Sequence, residues 1–144
     1  MTAYIDTSAL LRLVLREPGA LDDLQSYDAL VSSELIAVES ARTIDRLRLQ
    51  GALTMEEAAE RLRAVTDWLE AIDLVLLRPP VLSRASEPLP TPLGTLDAIH
   101  LATALIWRER MGVLRTMATH DSALGLAART FGFEVRGIER ENRT

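Results

Sequence analysis

Cysteine and lysine are both absent from the 144 residues, and histidine occurs only twice, as His100 and His120. Without cysteine the chain has no disulfides, no thiolate zinc site and no thiol nucleophile, and a reducing, cytoplasmic setting is the expectation. Without lysine two phosphate-handling devices fall away. A P-loop needs that residue after its glycine-rich turn, and a phosphorylated receiver domain contacts its phosphoryl group through one. Glycine is sparse, and none of the seven stands two residues from another, so the closely spaced glycines of a dinucleotide-binding turn are missing as well. No apolar stretch approaches the ~18 residues that would cross a membrane. The first residues carry no basic region ahead of an apolar run, and Asp6 interrupts the run, so no signal peptide is expected.

What is present has the balance of a globular protein, 48% hydrophobic and 26% charged residues, in a length that suits a single domain over residues 1–144. Acidic residues outnumber basic ones 21 to 16, for a net charge of −5 and a pI near 5.1. That excludes a basic protein that coats nucleic acid. All 16 basic residues are arginine, a residue suited to planar phosphate recognition, although codon usage in a GC-rich genome would leave the same trace.

Short apolar runs alternate with helical patterns along the whole chain, which predicts an α/β fold around a mostly parallel sheet. Ala3 to Ile5 reads as a first strand leading into Asp6-Thr7-Ser8, each a good helix N-cap, with a helix to about Arg16. After the Pro18-Gly19 turn come a short helix from Ala20 to Ser26 and a strand from Ala29 to Ser32. A helix capped by Ser32 or Ser33 then runs to about Gln50. Thr54-Met55-Glu56-Glu57 fits a capping box, and Ala58, Leu62, Val65, Leu69 and Ile72 form one apolar stripe of the helix that follows. That pair of helices, Ser33 to Ile72, could also offer a groove to an amphipathic partner segment or a homodimer surface. Leu74 to Leu77 reads as a strand, Pro79-Pro80 opens a short helix, and the proline-rich run from Glu87 to Gly94 is a stiff loop, either a plain connector or a shaper of substrate choice. Helices from Thr95 to Arg110 and Asp121 to Thr130, and strands from Met117 to Thr119 and Glu134 to Arg136, complete the pattern. Trp68 and Trp107, at helical positions, read as core or interface contacts.

Three aspartates, Asp6, Asp97 and Asp121, fall where a strand or loop gives way to a helix. Each could simply cap its helix. In parallel sheets, however, ligands bind beyond the carboxyl ends of the strands, and Asp6 and Asp121 each follow a strand directly, so neighbouring strands would bring them together. Glu39 lies inside the apolar helical run Leu35 to Ala41, where a partly desolvated carboxylate needs a partner. Arg42 or Thr43, one turn on, could serve, and so could a functional site. Four acids in one pocket repel each other and would take up protons unless a cation intervened. Magnesium or manganese, held by carboxylates together with substrate phosphate, resolves the conflict. Asp97 and His100, three apart, are also spaced for an Asp/His metal pair, though a histidine there is more simply a packed or surface helix residue.

Asp6-Thr7-Ser8 after the first strand, Glu39 within Leu35 to Arg42, the block Leu96-Asp97-Ala98-Ile99-His100-Leu101-Ala102-Thr103-Ala104, and Thr119-His120-Asp121 together resemble a PIN-domain ribonuclease. Within that superfamily the resemblance is to the VapC toxins of type II toxin–antitoxin systems, and it covers roughly Tyr4 to Gly137. It implies a three-layer α/β/α sandwich with a central, mostly parallel five-stranded sheet, cleavage of RNA with Mg²⁺ or Mn²⁺, and inhibition by a VapB-like antitoxin. It also implies that Asp6, Glu39, Asp97 and Asp121 are the catalytic and metal-site residues. Thr119 matches a hydroxyl residue that supports them, and Thr7 and Ser8 match a hydroxyl pair for which helix capping is the simpler role. Family members often carry a basic residue shortly before the third acid. Gly94-Thr95-Leu96 stands there instead, which makes Arg42 the candidate for substrate phosphate, against a plain ion pair with Glu39.

Two rivals remain. A haloacid-dehalogenase-type phosphatase would place a second aspartate two residues after the first, where this chain has Ser8. A catalytically silent interaction module would need only the apolar helix pair, and would have no use for four acids in this order.

Overall fold

The computed structural model describes residues 1–138, so residues 139–144 of the expected single unit lie outside the described part. Strand β1 (Thr2–Ile5) runs straight into helix α1 (Thr7–Val14), because Asp6 holds an extended backbone and its carboxylate accepts a hydrogen bond from the Ala9 N–H at the first turn. The same arrangement recurs at the other end of the chain. Strand β4 (Thr116–Ala118) leads to helix α6 (Ser122–Thr130), whose cap is Asp121, accepting from Leu124 N–H. Between them come strand β2 (Ala29–Ser33), helices α2 (Leu35–Leu49) and α3 (Met55–Glu70), strand β3 (Ile72–Val75), and helices α4 (Pro79–Ala85) and α5 (Thr95–Met111); strand β5 (Glu134–Arg136) comes last. The Thr54–Glu57 capping box opens α3 as the sequence predicts.

All strands are parallel, in the order β3-β2-β1-β4-β5. Alternate residues of the strands face opposite layers. Ala3, Ile5, Leu30 and Ala118 pack against Leu10, Ile36, Ile44 and Val65 of α1, α2 and α3. Tyr4, Val31 and Met117 pack on the other face against Leu101, Leu105 and Leu124 of α5 and α6. The result is the three-layer α/β/α sandwich, and each fully buried Leu, Ile or Val contributes about 1.5–3 kcal/mol to holding it. Helix α5 is buried without interruption from Ala98 to Ile106, between the sheet and α4. This explains why its sequence is apolar on every side. Trp68 and Trp107 are half-buried against the two cores, as expected.

Two expected boundaries move. The helical stripe predicted through Ile72 stops at Glu70, and the third strand is Ile72–Val75 rather than Leu74 to Leu77. The cause is the partner strand. Leu30 to Ser33 pair with Ile72 to Val75, and Glu34 N–H closes the ladder on the Val75 carbonyl before the chain turns into α2, so Leu76 and Leu77 have no strand to pair with. The helix expected from Ala20 to Ser26 reduces to a single 3₁₀ turn, Leu24–Ser26. Only Leu24 of this segment is fully buried, too little apolar surface to hold an amphipathic helix.

Candidate active site

The sheet order reverses direction in sequence at β1, which pairs with β2 on one side and β4 on the other. Adjacent parallel strands diverge into helices on opposite faces at such a point and leave a crevice at their carboxyl ends. Asp6 lies at the end of β1, its N–H bonded to the Ala118 carbonyl at the end of β4, and Asp121 follows β4 by three residues. Helix α5 brings Asp97 in its first turn, and α2 brings Glu39 from its middle. The four carboxylates, with Thr7 and Ser8, line one open cavity of about 200 Å³. The amino ends of α1, α5 and α6 meet here, and their dipoles favour negative charge at that place.

The carboxylates are held differently. Asp6 is buried and fully engaged: Oδ1 accepts from the Ser8 hydroxyl at 2.7 Å and from Ala9 N–H at 3.0 Å, and Oδ2 accepts from the Thr119 hydroxyl at 2.5 Å. Burial still pushes its pKa above the ordinary aspartate value, against the pull of those donors. Glu39 is half-buried, with Oε1 accepting from His100 Nε2 at 2.7 Å and from the Thr7 hydroxyl at 2.8 Å. Burial raises its pKa, but the attraction and hydrogen bond of the His100 imidazole and the Thr7 hydroxyl outweigh it and hold Glu39 below the usual glutamate range. Asp121 uses Oδ1 for its helix cap. Asp97 has no hydrogen-bond donor among the described residues. Partial burial, then repulsion from Asp121 and Asp6, against an attraction from His100 that exceeds the small repulsion from Glu39, push its pKa up to about 6.

The capping reading and the site reading therefore hold together. Asp6 and Asp121 do cap their helices, and Asp121 keeps Oδ2 uncommitted. Thr7 and Ser8, for which capping was the simpler role, instead hold Glu39 and Asp6; Ser8 also accepts from His120 N–H at 2.8 Å. Thr119 ties two acids at once, donating to Asp6 and accepting from Asp121 N–H at 3.0 Å. Replacing it with the near-isosteric valine leaves Asp6 Oδ2 and the Asp121 amide without a partner. Thr119→Val should cost about 2 kcal/mol of stability in urea unfolding, and a loss within experimental error of zero would show that the hydroxyl does not hold the site together.

Arg42 does not pair with Glu39. The carboxylate is turned inward to His100, and the guanidinium bonds Asp45 at 2.9 Å on the exposed side of α2. Arg42 instead lines a groove of about 320 Å³, with Leu35, Val38, Arg46 and Leu96, that meets the acidic cavity at Glu39 and Thr43. What sequence reasoning missed is the role of His100 as the partner of Glu39. Of the two expected placements, packed or surface, it takes the packed one: it is among the most buried groups in the protein, edge-on to Tyr4 with ring centroids 5.9 Å apart. The only signal for it was a lone imidazole in an otherwise apolar helix, one turn after Asp97.

Among the described residues no three acidic or histidine side chains are drawn together as a finished metal cluster. Glu39 Oε1 and both oxygens of Asp6 accept hydrogen bonds from protein donors. The donor set nevertheless fits a hard divalent cation. It is all oxygen, one carboxylate is free of protein donors, two others keep one oxygen each, and their mutual repulsion is what a cation would relieve.

A single parallel sheet with acids converging at its switch point defines a class of protein, and the comparison with known families agrees. The PIN domain family matches residues 3–120, and the chain belongs to the VapC-type proteins of that family. It is 35% identical over 137 residues to Ribonuclease VapC46 of Mycobacterium tuberculosis (strain ATCC 25618 / H37Rv), covering 92% of this chain and 94% of that one. It is 33% identical over 133 residues to Ribonuclease VapC47 of the CDC 1551 / Oshkosh strain, covering 90% and 92%. The crystal structure of PAE2754 from Pyrobaculum aerophilum superposes with a TM-score of 0.60 over 94% of this chain and 89% of that one. At 19% identity, that likeness concerns the fold.

Proposed function

We propose that this chain is the toxin of a type II toxin–antitoxin pair. In this reading it is a cytoplasmic endoribonuclease that hydrolyses RNA phosphodiester bonds with Mg²⁺ or Mn²⁺ held by Asp6, Glu39, Asp97 and Asp121, and a VapB-like antitoxin silences it. The observation that carries the reading is the convergence of these four carboxylates on one cavity at the switch point of the sheet.

When bound, such a cation offsets the charge that builds on the phosphodiester in its transition state and acidifies water. The rest is positioning by the chain. Asp6 is locked from three directions, so its carboxylate meets a ligand without rearranging. Asp97, without protein donors, is the group whose charge changes most readily when a ligand arrives. The dipoles of three helix ends keep the acids ionised at lower cost than an equivalent cluster in a loop. Arg42 and Arg46 would take the RNA phosphate beside the cleavage point. The ion pair of Arg42 with Asp45 is exposed and worth at most about 1 kcal/mol, so exchanging it for a phosphate costs little. Hydrolysis then breaks the bond from phosphorus to the leaving nucleoside oxygen, forms one to the water oxygen, and leaves a proton on the departing group.

Purified chain incubated with a single-stranded RNA of defined length and Mn²⁺ should cut it internally, stop on addition of EDTA, and resume when Mn²⁺ is returned in excess. Cleavage that continues at the same rate in EDTA would overturn the proposal.

A further inference from the structure

The buried imidazole of His100 links three elements: Tyr4 on β1, His100 on α5 and Glu39 on α2. The carboxylate end of this chain fixes one hydrogen, on Nε2, and the phenol end offers a partner for the other nitrogen. The Tyr4 hydroxyl oxygen lies 3.1 Å from the backbone nitrogen of Ser33, which can only donate, and 2.7 Å from His100 Nδ1. A phenolic hydrogen directed to Nδ1 would make that nitrogen the acceptor and leave Nε2 as the nitrogen carrying hydrogen. At the far end a carboxylate can only accept, and Nε2 lies 2.7 Å from Glu39 Oε1. Thr7 donates to the same oxygen at 2.8 Å. Two donors thus converge on Oε1, and Oε2 has no protein donor among the described residues.

We propose that His100 is a positioning residue for Glu39. With its tautomer set by Tyr4, its Nε2–H grips one carboxylate oxygen and turns the other to the cavity. The assignment rests on the metal-dependent reading above. A surface side chain could not serve, because the imidazole is only 1% exposed and packed on all sides, so it cannot swing away when Glu39 is drawn toward a cation. The device also gives a half-buried glutamate in the middle of α2 its partners where no arginine reaches it. Outer partners of this kind typically change metal affinity about 10–100-fold when removed.

The test uses the full chain and Mn²⁺ alone. Mn²⁺ uptake is followed by the loss of the free-ion EPR signal, and circular dichroism and melting confirm that each variant is folded. His100→Leu should weaken Mn²⁺ binding at least about tenfold. His100→Gln, whose side-chain amide can place an N–H near the position of Nε2, should recover most of the affinity, which a purely space-filling role would not allow. Tyr4→Phe should fall between the two. Independently of metal and of any variant, ¹⁵N NMR of the parent should find hydrogen on Nε2 and none on Nδ1 of His100. Parent-like binding by folded His100→Leu, a Gln variant as weak as the Leu variant, or hydrogen on Nδ1 would each overturn the assignment while leaving the functional reading intact. A parent that takes up no Mn²⁺ overturns the functional reading, and the assignment with it.

Discussion

Asp6→Asn should abolish RNA cleavage, by at least about 100-fold, and yet give a metal-free protein that melts no lower than the parent at pH 7. The two halves come from the same fact. Asp6 is 3% exposed, and burial raises its pKa in the folded chain, so keeping it charged at neutral pH costs folding free energy. The sign follows directly. A carboxyl whose pKa is higher folded than unfolded contributes stability at pH values below its unfolded pKa, and that contribution is lost as pH rises through the folded value. Asparagine removes the charge and retains an acceptor for the Ala9 amide and the Ser8 hydroxyl, so the helix cap survives, and relief of the charge penalty offsets the loss of the Thr119 hydrogen bond. It cannot supply the ionised oxygen that a hard cation requires. Cleavage rates in Mn²⁺, paired with melting curves in EDTA, check both halves. A variant that cuts like the parent removes Asp6 from the site, and one that melts far below it shows that the carboxylate serves the fold rather than the chemistry.

What could be read from residue order, and what could not, divides along a physical line. Asp6 and Asp121 follow strands by one and three residues and cap the helices behind them, so local spacing is enough to place them, and their nearness needs only the rule that parallel strands end together. The capping box at Thr54 and the buried block of α5 are local in the same sense. The partner of Glu39 is not. His100 stands 61 residues away and Thr7 stands 32, and nothing in the α2 sequence distinguishes a glutamate turned inward to them from one paired to Arg42 a turn ahead. The end of α3 is lost for a related reason. Its apolar stripe runs on through Ile72, and only the hydrogen-bond register of β2 makes that residue a strand instead. Distant pairing decides both cases, and periodicity within a segment carries no trace of it.

The electrostatic tension in the cavity is concentrated on Asp97, and its consequence is a pH dependence that a bound cation should reverse. Its pKa is pushed up to about 6 by partial burial and by the charges of Asp121, Asp6 and Glu39. In the metal-free chain its contribution to stability is complete below the ordinary value of 3.8 and disappears as pH rises through about 6. Because the group is partly exposed, solvent screening reduces the effect to about 1 kcal/mol. Glu39 shifts in the opposite direction, so its own contribution is lost only as pH falls below the glutamate range, outside this window. In EDTA the parent should therefore melt lower at pH 7 than at pH 5, and Asp97→Asn should flatten much of that difference. Mn²⁺ inverts the pattern, since a ligand must lose its proton before it can bind. The rise in melting temperature on adding Mn²⁺ should be large at pH 7, shrink as pH falls through about 6, and vanish at every pH in Asp97→Asn. Melting curves at several pH values, with and without Mn²⁺, separate these outcomes. A parent whose Mn²⁺-induced shift is unchanged from pH 7 to pH 5 would mean that the cation binds without displacing this proton, and that Asp97 does not hold it.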